Sequence, residues 1–139
     1  SWQTSTDGIL EKYDPENRDF KPSDEFMSKL KSKDWGRWAV AMPSGKKAVA
    51  PPYGSAPVGS MPADFLTDND ITGGNSGSPV LNAEGKVIGL AFDGNKESLA
   101  SDLYAVPDYN KCVCVDIRYV LWTLDKYAGM SRIIEELGL

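Results

Sequence analysis

A chain of 139 residues is the size of one domain and long enough to bury a real core. Its composition, 41% hydrophobic and 25% charged, is that of a globular protein, and a net charge of −5 excludes a generally basic nucleic-acid-binding surface. No run approaches the roughly 20 apolar residues of a membrane-spanning helix. No signal-peptide pattern opens the chain, which says little about export because a mature chain has lost its leader.

Residues 1–22 read as irregular with one strand, since Ser5-Thr6-Asp7-Gly8 and Asp14-Pro15 are turn signals. A helix is predicted near 23–33. Ser23 can cap it, Asp24 and Glu25 favour the positive end of its dipole, and Phe26, Met27 and Leu30 form its apolar stripe. Trp35 to Met42 reads as a short extended segment, and residues 43–62, rich in Pro, Gly, Ser and Ala, as a surface loop with no demand for a core. From residue 63 the pattern turns to strands. Residues 63–67 form one, and 79–82 and 87–92 form a β-hairpin around the turn Ala83-Glu84-Gly85-Lys86. Cys112 to Val115 is a third run, apolar on both faces. Asp116 then caps a helix over 117–128, with Ile117, Val120, Leu121 and Leu124 on one face and Gly129 as its stop, and 131–137 adds a last turn or two.

Cys112 and Cys114 sit two apart, so on a strand both side chains point to one face. A buried pair of free thiols is the favoured reading. A strained disulfide or half of a metal site finds no support from any further cysteine, nor from a histidine, because the chain has none.

The densest group of small residues is Thr72-Gly73-Gly74-Asn75-Ser76-Gly77-Ser78-Pro79-Val80, a loop that feeds the hairpin. A serine nucleophile needs an exposed hydroxyl and backbone N–H groups aimed at the oxyanion of a tetrahedral intermediate. Glycine permits the unusual backbone angles and the close approach of a substrate carbonyl. The N–H groups of Gly74 and Ser76 could converge beside Ser76 Oγ. Ser78, which precedes a proline at the mouth of a strand, is better placed for structure.

This loop and its hairpin resemble the nucleophile region of chymotrypsin-fold serine peptidases, and more narrowly two groups: the glutamyl endopeptidases and the bacterial serine dipeptidyl-peptidases related to dipeptidyl-peptidases 7 and 11. The flanks favour the second group. Asp7-Gly8-Ile9-Leu10-Glu11-Lys12, Phe92-Asp93-Gly94-Asn95 and Val115-Asp116-Ile117-Arg118-Tyr119-Val120-Leu121-Trp122 are all similar to that family. The resemblance covers most of the chain and is weakest over 43–62.

The resemblance implies a fold class that is mainly β with flanking helices: the C-terminal part of an antiparallel, chymotrypsin-like double β-barrel ending in a helix. Its segments are a lead-in over 1–62, barrel strands over 63–115 and helices over 116–139. It implies Ser76 as nucleophile and Gly74 and Ser76 as oxyanion-hole donors. Asp93 matches the anchor for the free amino terminus of a peptide. Gly94 matches the position that sets the specificity pocket, arginine in members specific for Asp or Glu and glycine in members with a broad, hydrophobic preference. Taken without the family, Asp93-Gly94 reads as a plain turn. Burying a substrate carboxylate without a cation costs several kcal/mol, which agrees with an apolar preference at a glycine.

One departure stands out. A serine needs a base to take its proton, and this chain holds no histidine. In the family the histidine and aspartate of the triad lie far upstream, before an inserted helical domain. The chain is therefore expected to be the returning C-terminal segment of a serine dipeptidyl-peptidase, inactive alone. Its parent is expected to be periplasmic or on the cell surface of a Gram-negative bacterium, homodimeric, acting on oligopeptides with a hydrophobic residue before the cut. No cofactor, metal, nucleic acid or membrane insertion is expected. Alternatives are a piece of a glutamyl-endopeptidase-like enzyme and a non-catalytic peptide-binding module.

Overall fold

The computed structural model describes residues 5–40, 59–100 and 109–139. They form two compact units, one from 1–63 with 118–139 and one from 64–117. The outer segments of the chain thus share a unit, and the middle stands as a unit of its own.

The first unit is helical. Helix α1 spans Thr6–Glu11, where the sequence predicts turn and strand. The Ser-Thr-Asp-Gly signal is overridden by tertiary contacts: Thr6 is buried and gives both its N–H (3.0 Å) and its hydroxyl (3.3 Å) to the carbonyl of Met61. Ser5 forms an antiparallel bridge with Pro62. Helix α2, Asp24–Ser32, starts as predicted, with Ser23 Oγ accepting from Phe26 N at 3.2 Å. It buries Met27 and Leu30. The expected extended segment after it is instead a 3-10 turn over Gly36–Trp38, pinned because Trp38 Nε1 donates to Asp125 at 2.9 Å. The expected surface loop also needs correction at its end. Residues 43–58 lie outside the described residues, but Met61 is fully buried.

Helix α3, Ile117–Trp122, continues as a π-helical stretch over Thr123–Tyr127 and stops at Gly129, which has φ 63°. Its most buried side chain is Trp122, outside the predicted stripe. Trp122 meets Trp35 edge-on at 5.2 Å and Phe26 at 6.0 Å, and its Nε1 donates to the Asp34 carbonyl. Such edge-to-face pairs add about 1 kcal/mol each beyond their buried area. Helix α4 follows at Ser131–Glu136 and buries Ile134.

The second unit is an antiparallel sheet. Strands β1 (Asp64–Thr67), β2 (Pro79–Leu81), β3 (Val87–Gly94) and β4 (Cys112–Asp116) lie in the order β1-β4-β3-β2, every pairing antiparallel. The predicted hairpin is β2–β3, and β3 runs two residues further than expected, so Asp93 and Gly94 close a strand rather than form a turn. Gly89 on β3 is needed for room. A Cβ there would lie 2.5 Å from the Val115 carbonyl and 2.6 Å from the Phe65 ring. Under the sheet, Val80, Ala91, Cys112 and Cys114 form a small core, with Phe65, Ile71 and Ile88 against it.

Candidate active site

The loop Thr72–Ser78 is built around Asn75. Its side chain accepts from Thr72 N at 2.9 Å, its N–H donates to the Thr72 carbonyl at 3.1 Å, and its carbonyl accepts from Ser78 N at 2.9 Å. Asparagine is suited to this because its short amide mimics a backbone group inside a turn. Gly74 (φ 97°) and Gly77 (φ 86°) flank the Asn-Ser pair in the left-handed region. A Cβ on either would meet nothing within 4 Å, so backbone angle, not space, calls for glycine there.

The loop is clasped to β3 by Gly77 N on the Ala91 carbonyl (2.7 Å) and Ala91 N on the Ser78 carbonyl (2.9 Å). Beside this clasp β3 carries a bulge: Ala91 pairs with Cys114 and Asp93 with Val113, leaving Phe92 over. The extra residue resets the strand's alternation. Ala91 stays buried while Phe92 and Asp93 are both exposed. Ser76 is exposed, and its hydroxyl donates to the Phe92 carbonyl in a long bond of 3.4 Å. Among the described residues the N–H groups of Gly74 and Ser76 have no hydrogen-bond partner. The loop therefore presents a weakly held hydroxyl and, among the described residues, two amides without a partner.

Asp93 accepts from its neighbour Gly94 N at 2.8 Å, which fixes one carboxylate oxygen. No cation pairs with it among the described residues. Gly94 follows at the end of β3, facing Ile71 and Ser98. The structure thus places Gly74, Ser76, Asp93 and Gly94 in one unit, on the nucleophile-like loop and the strand that holds it.

The two cysteines are free, with sulfurs 3.6 Å apart. Burial pushes the Cys114 thiol up from an ordinary 9.0 to about 11, and hydrogen bonding to Cys112 adds to this against a smaller opposing contact with Thr67. Cys114 is thus a protonated, packed side chain at neutral pH.

Two polar residues with structural weight escape the sequence reading. Asn75 organises the loop, and its place between glycines was the available signal. Asn95 fastens the turn after β3 to residues 109–111, which nothing local announces.

Comparison with known proteins gives the family. The peptidase S46 family model matches residues 1–139. The chain belongs to the peptidase S46 family. It is 43% identical over 138 residues to the dipeptidyl-peptidase 7 of Phocaeicola vulgatus, covering 99% of this chain and 17% of that protein. It is 39% identical over 137 residues to the Asp/Glu-specific dipeptidyl-peptidase of Porphyromonas gingivalis, again 99% and 17%. A crystal structure of Porphyromonas endodontalis DPP11 in complex with substrate superposes with a TM-score of 0.79 at 36% identity, covering 96% of this chain and 17% of that one. The chain therefore spans about a sixth of the length of these relatives.

Proposed function

We propose that this segment supplies the nucleophile, oxyanion donors and specificity pocket of a serine dipeptidyl-peptidase whose full-length form releases dipeptides from free amino termini, with a hydrophobic residue before the cut. The observation that carries the reading is Ser76 held between two left-handed glycines, with the amides of Gly74 and Ser76 unspent. In this reading the sheet unit is part of one barrel of a chymotrypsin-like pair. Membership of the S46 family and the names of the relatives support it.

The chemistry follows from the placement. Ser76 Oγ attacks the carbonyl carbon of the second residue. The bond from the hydroxyl to the Phe92 carbonyl is long and easily given up. The hydroxyl proton passes to a histidine supplied from outside these 139 residues, which contain none. The Gly74 and Ser76 amides donate to the developing oxyanion, a contribution of about 10²–10³ in rate per donor. Asp93, exposed and without a cation among the described residues, takes the substrate ammonium and so measures two residues from the amino terminus. Gly94 offers no cation to a substrate carboxylate, so an apolar side chain is preferred. Without its base the 139-residue chain is inactive by itself. A periplasmic or surface location and a homodimeric parent belong to the same reading.

The deciding experiment compares free and N-acetylated dipeptidyl substrates on the full-length parent and on its Asp93→Ala variant. The reading expects strong preference for free amino termini, lost in Asp93→Ala. Equal cleavage of acetylated peptides by the parent would favour an endopeptidase, and no cleavage of either a binding module.

A further inference from the structure

Gly94 does not need to be glycine for its backbone, since its φ lies outside the left-handed region that Gly74 and Gly77 occupy. What it lacks is room. A Cβ on residue 94 would sit 3.1 Å from Ser98 Cβ and 3.6 Å from Ile71 Cγ2. A contact of 3.1 Å between carbons is well inside their usual separation of about 3.5–4.0 Å. It is harmless only if Ser98 can retreat.

Ser98 cannot retreat easily, because Asn95 holds it. Ser98 Oγ donates to Asn95 Oδ1 at 2.5 Å and accepts from Lys111 N at 3.2 Å, while Ser98 N donates to the Asn95 carbonyl at 3.0 Å. Asn95 is itself fixed. Its Oδ1 also accepts from Lys111 N at 2.9 Å, its Nδ2 donates to the Tyr109 carbonyl at 2.7 Å and to Glu97 at 2.8 Å, and its N–H donates to the Lys111 carbonyl at 2.9 Å. The one hydroxyl facing position 94 is consumed inside this knot. The atoms nearest a Cβ at position 94 are Ser98 Cβ, the Ile71 methyl and Ser98 Oγ, and the hydroxyl proton is already committed to Asn95.

We infer that Ser98, locked by Asn95, is a second determinant of substrate specificity, coupled to Gly94, and that Asn95 is its positioning residue. The inference rests on the proposed role of Gly94 in the pocket. An arginine at 94 is then not accepted by itself; it needs residue 98 to yield. Apolar preference comes from the pair, not from glycine alone.

The test uses the full-length parent carrying Gly94→Ala, Ser98→Gly, both together, Gly94→Arg with and without Ser98→Gly, and Asn95→Ala. The readouts are thermal midpoint and kcat/KM on free dipeptidyl substrates with Ala, Leu, Phe or Asp before the cleaved bond. Gly94→Ala should lower the midpoint and cut Leu turnover about tenfold, and Ser98→Gly should restore both. Ser98→Gly alone should shift the Phe-to-Leu ratio about tenfold toward Phe. Asp turnover should appear in Gly94→Arg only when Ser98→Gly accompanies it. Should Gly94→Arg fail to fold, the alanine pair carries the same test. Asn95→Ala should blur the discrimination between Leu and Phe while keeping turnover of the Ala substrate; an equal loss on the Ala, Leu and Phe substrates would reduce it to a structural residue and overturn its positioning role. Effects at 94 and 98 that multiply independently, within about twofold, would overturn the coupling. If folded Gly94→Ala leaves the preference among Ala, Leu and Phe untouched, the pocket assignment of Gly94 fails. If it shifts that preference and Ser98→Gly does not modify the shift, only the coupling fails.

Discussion

Two polar loops attach to β3, and they treat their hydrogen bonds in opposite ways. The Thr72–Ser78 loop is held at its ends and at Asn75 but leaves the amides of Gly74 and Ser76 without partners among the described residues. The turn after Gly94 spends the side-chain groups of Asn95 and Ser98, with both ends of the Asn95 amide bonded and Ser98 Oγ bonded as well. A buried unmade bond costs about 1–3 kcal/mol, so the first arrangement persists only where the donors face solvent or a ligand. In the proposed reading, one loop keeps donors for a substrate and the other makes a wall.

The largest expected effect breaks the first loop's chemistry without touching its structure. Ser76→Ala in the full-length parent should reduce kcat by about 10⁶. Its thermal midpoint should barely move, because the hydroxyl makes a single 3.4 Å bond. A drop of several degrees would mean that the serine is structural.

Next comes the strand both loops share. Gly89→Ala should cost about 3 kcal/mol or more of stability, read from denaturant unfolding, since its Cβ would lie 2.5 Å from a backbone carbonyl in the sheet. Gly77→Ala, where nothing crowds a Cβ, should cost about 1 kcal/mol from its φ of 86° alone. Equal costs would show that Val115 and Phe65 give way freely.

The two asparagines sharpen the contrast directly. Asn95→Ala removes the acceptor shared by Lys111 N and Ser98 Oγ and the donor to the Tyr109 carbonyl, and should cost about 2 kcal/mol. Asn75→Ala removes one bond, to Thr72 N, and should cost about 1 kcal/mol. Activity should run the other way for the smallest substrates, with Asn75→Ala the more damaging because it frees the loop that carries Ser76. If both variants lose activity in proportion to stability, the division of labour fails.

What could be read from the sequence was what short-range chemistry decides. Ser23 with its two following acids announces α2, and the Gly-rich run between apolar segments announces the loop and hairpin. The family resemblance rests on motifs of the same local kind. The rest depended on partners far along the chain. Ser5-Thr6-Asp7-Gly8 carries turn signals, yet Thr6 is drawn into a helix by the Met61 carbonyl 55 residues away. Trp38 is turned out of an extended path by Asp125, 87 residues away. The bulge at Phe92 exists in the register between β3 and β4, and Ser98 meets Gly94 only because Asn95 is tied to residues 109–111. Periodicity of apolar residues sees none of these.

An effect confined to alkaline pH lies beneath both loops. Cys114 pairs with Ala91, where the first loop is clasped, and Cys112 pairs with Gly94, where the second begins. The Cys114 thiol is raised from 9.0 to about 11, first by burial and then by its hydrogen bond to Cys112. Between these values the unfolded chain loses the proton while the folded chain keeps it, so the folded state binds more protons and stability falls as pH rises. The contribution is complete below pH 9 and lost on the way to about pH 11. Its slope cannot exceed about 1.4 kcal/mol per pH unit for a single proton. Urea unfolding of the full-length parent and of Cys114→Ala at several pH values isolates it. The variant should be weaker at pH 7, having lost a buried side chain, but should shed less stability across the alkaline window. Parallel curves for the two proteins would show that the thiol does not titrate there. If the curves do diverge, kcat should fall with stability over the same window, because the thiol lies on β4 opposite Ala91 of β3, the strand that carries Asp93 and clasps the Ser76 loop.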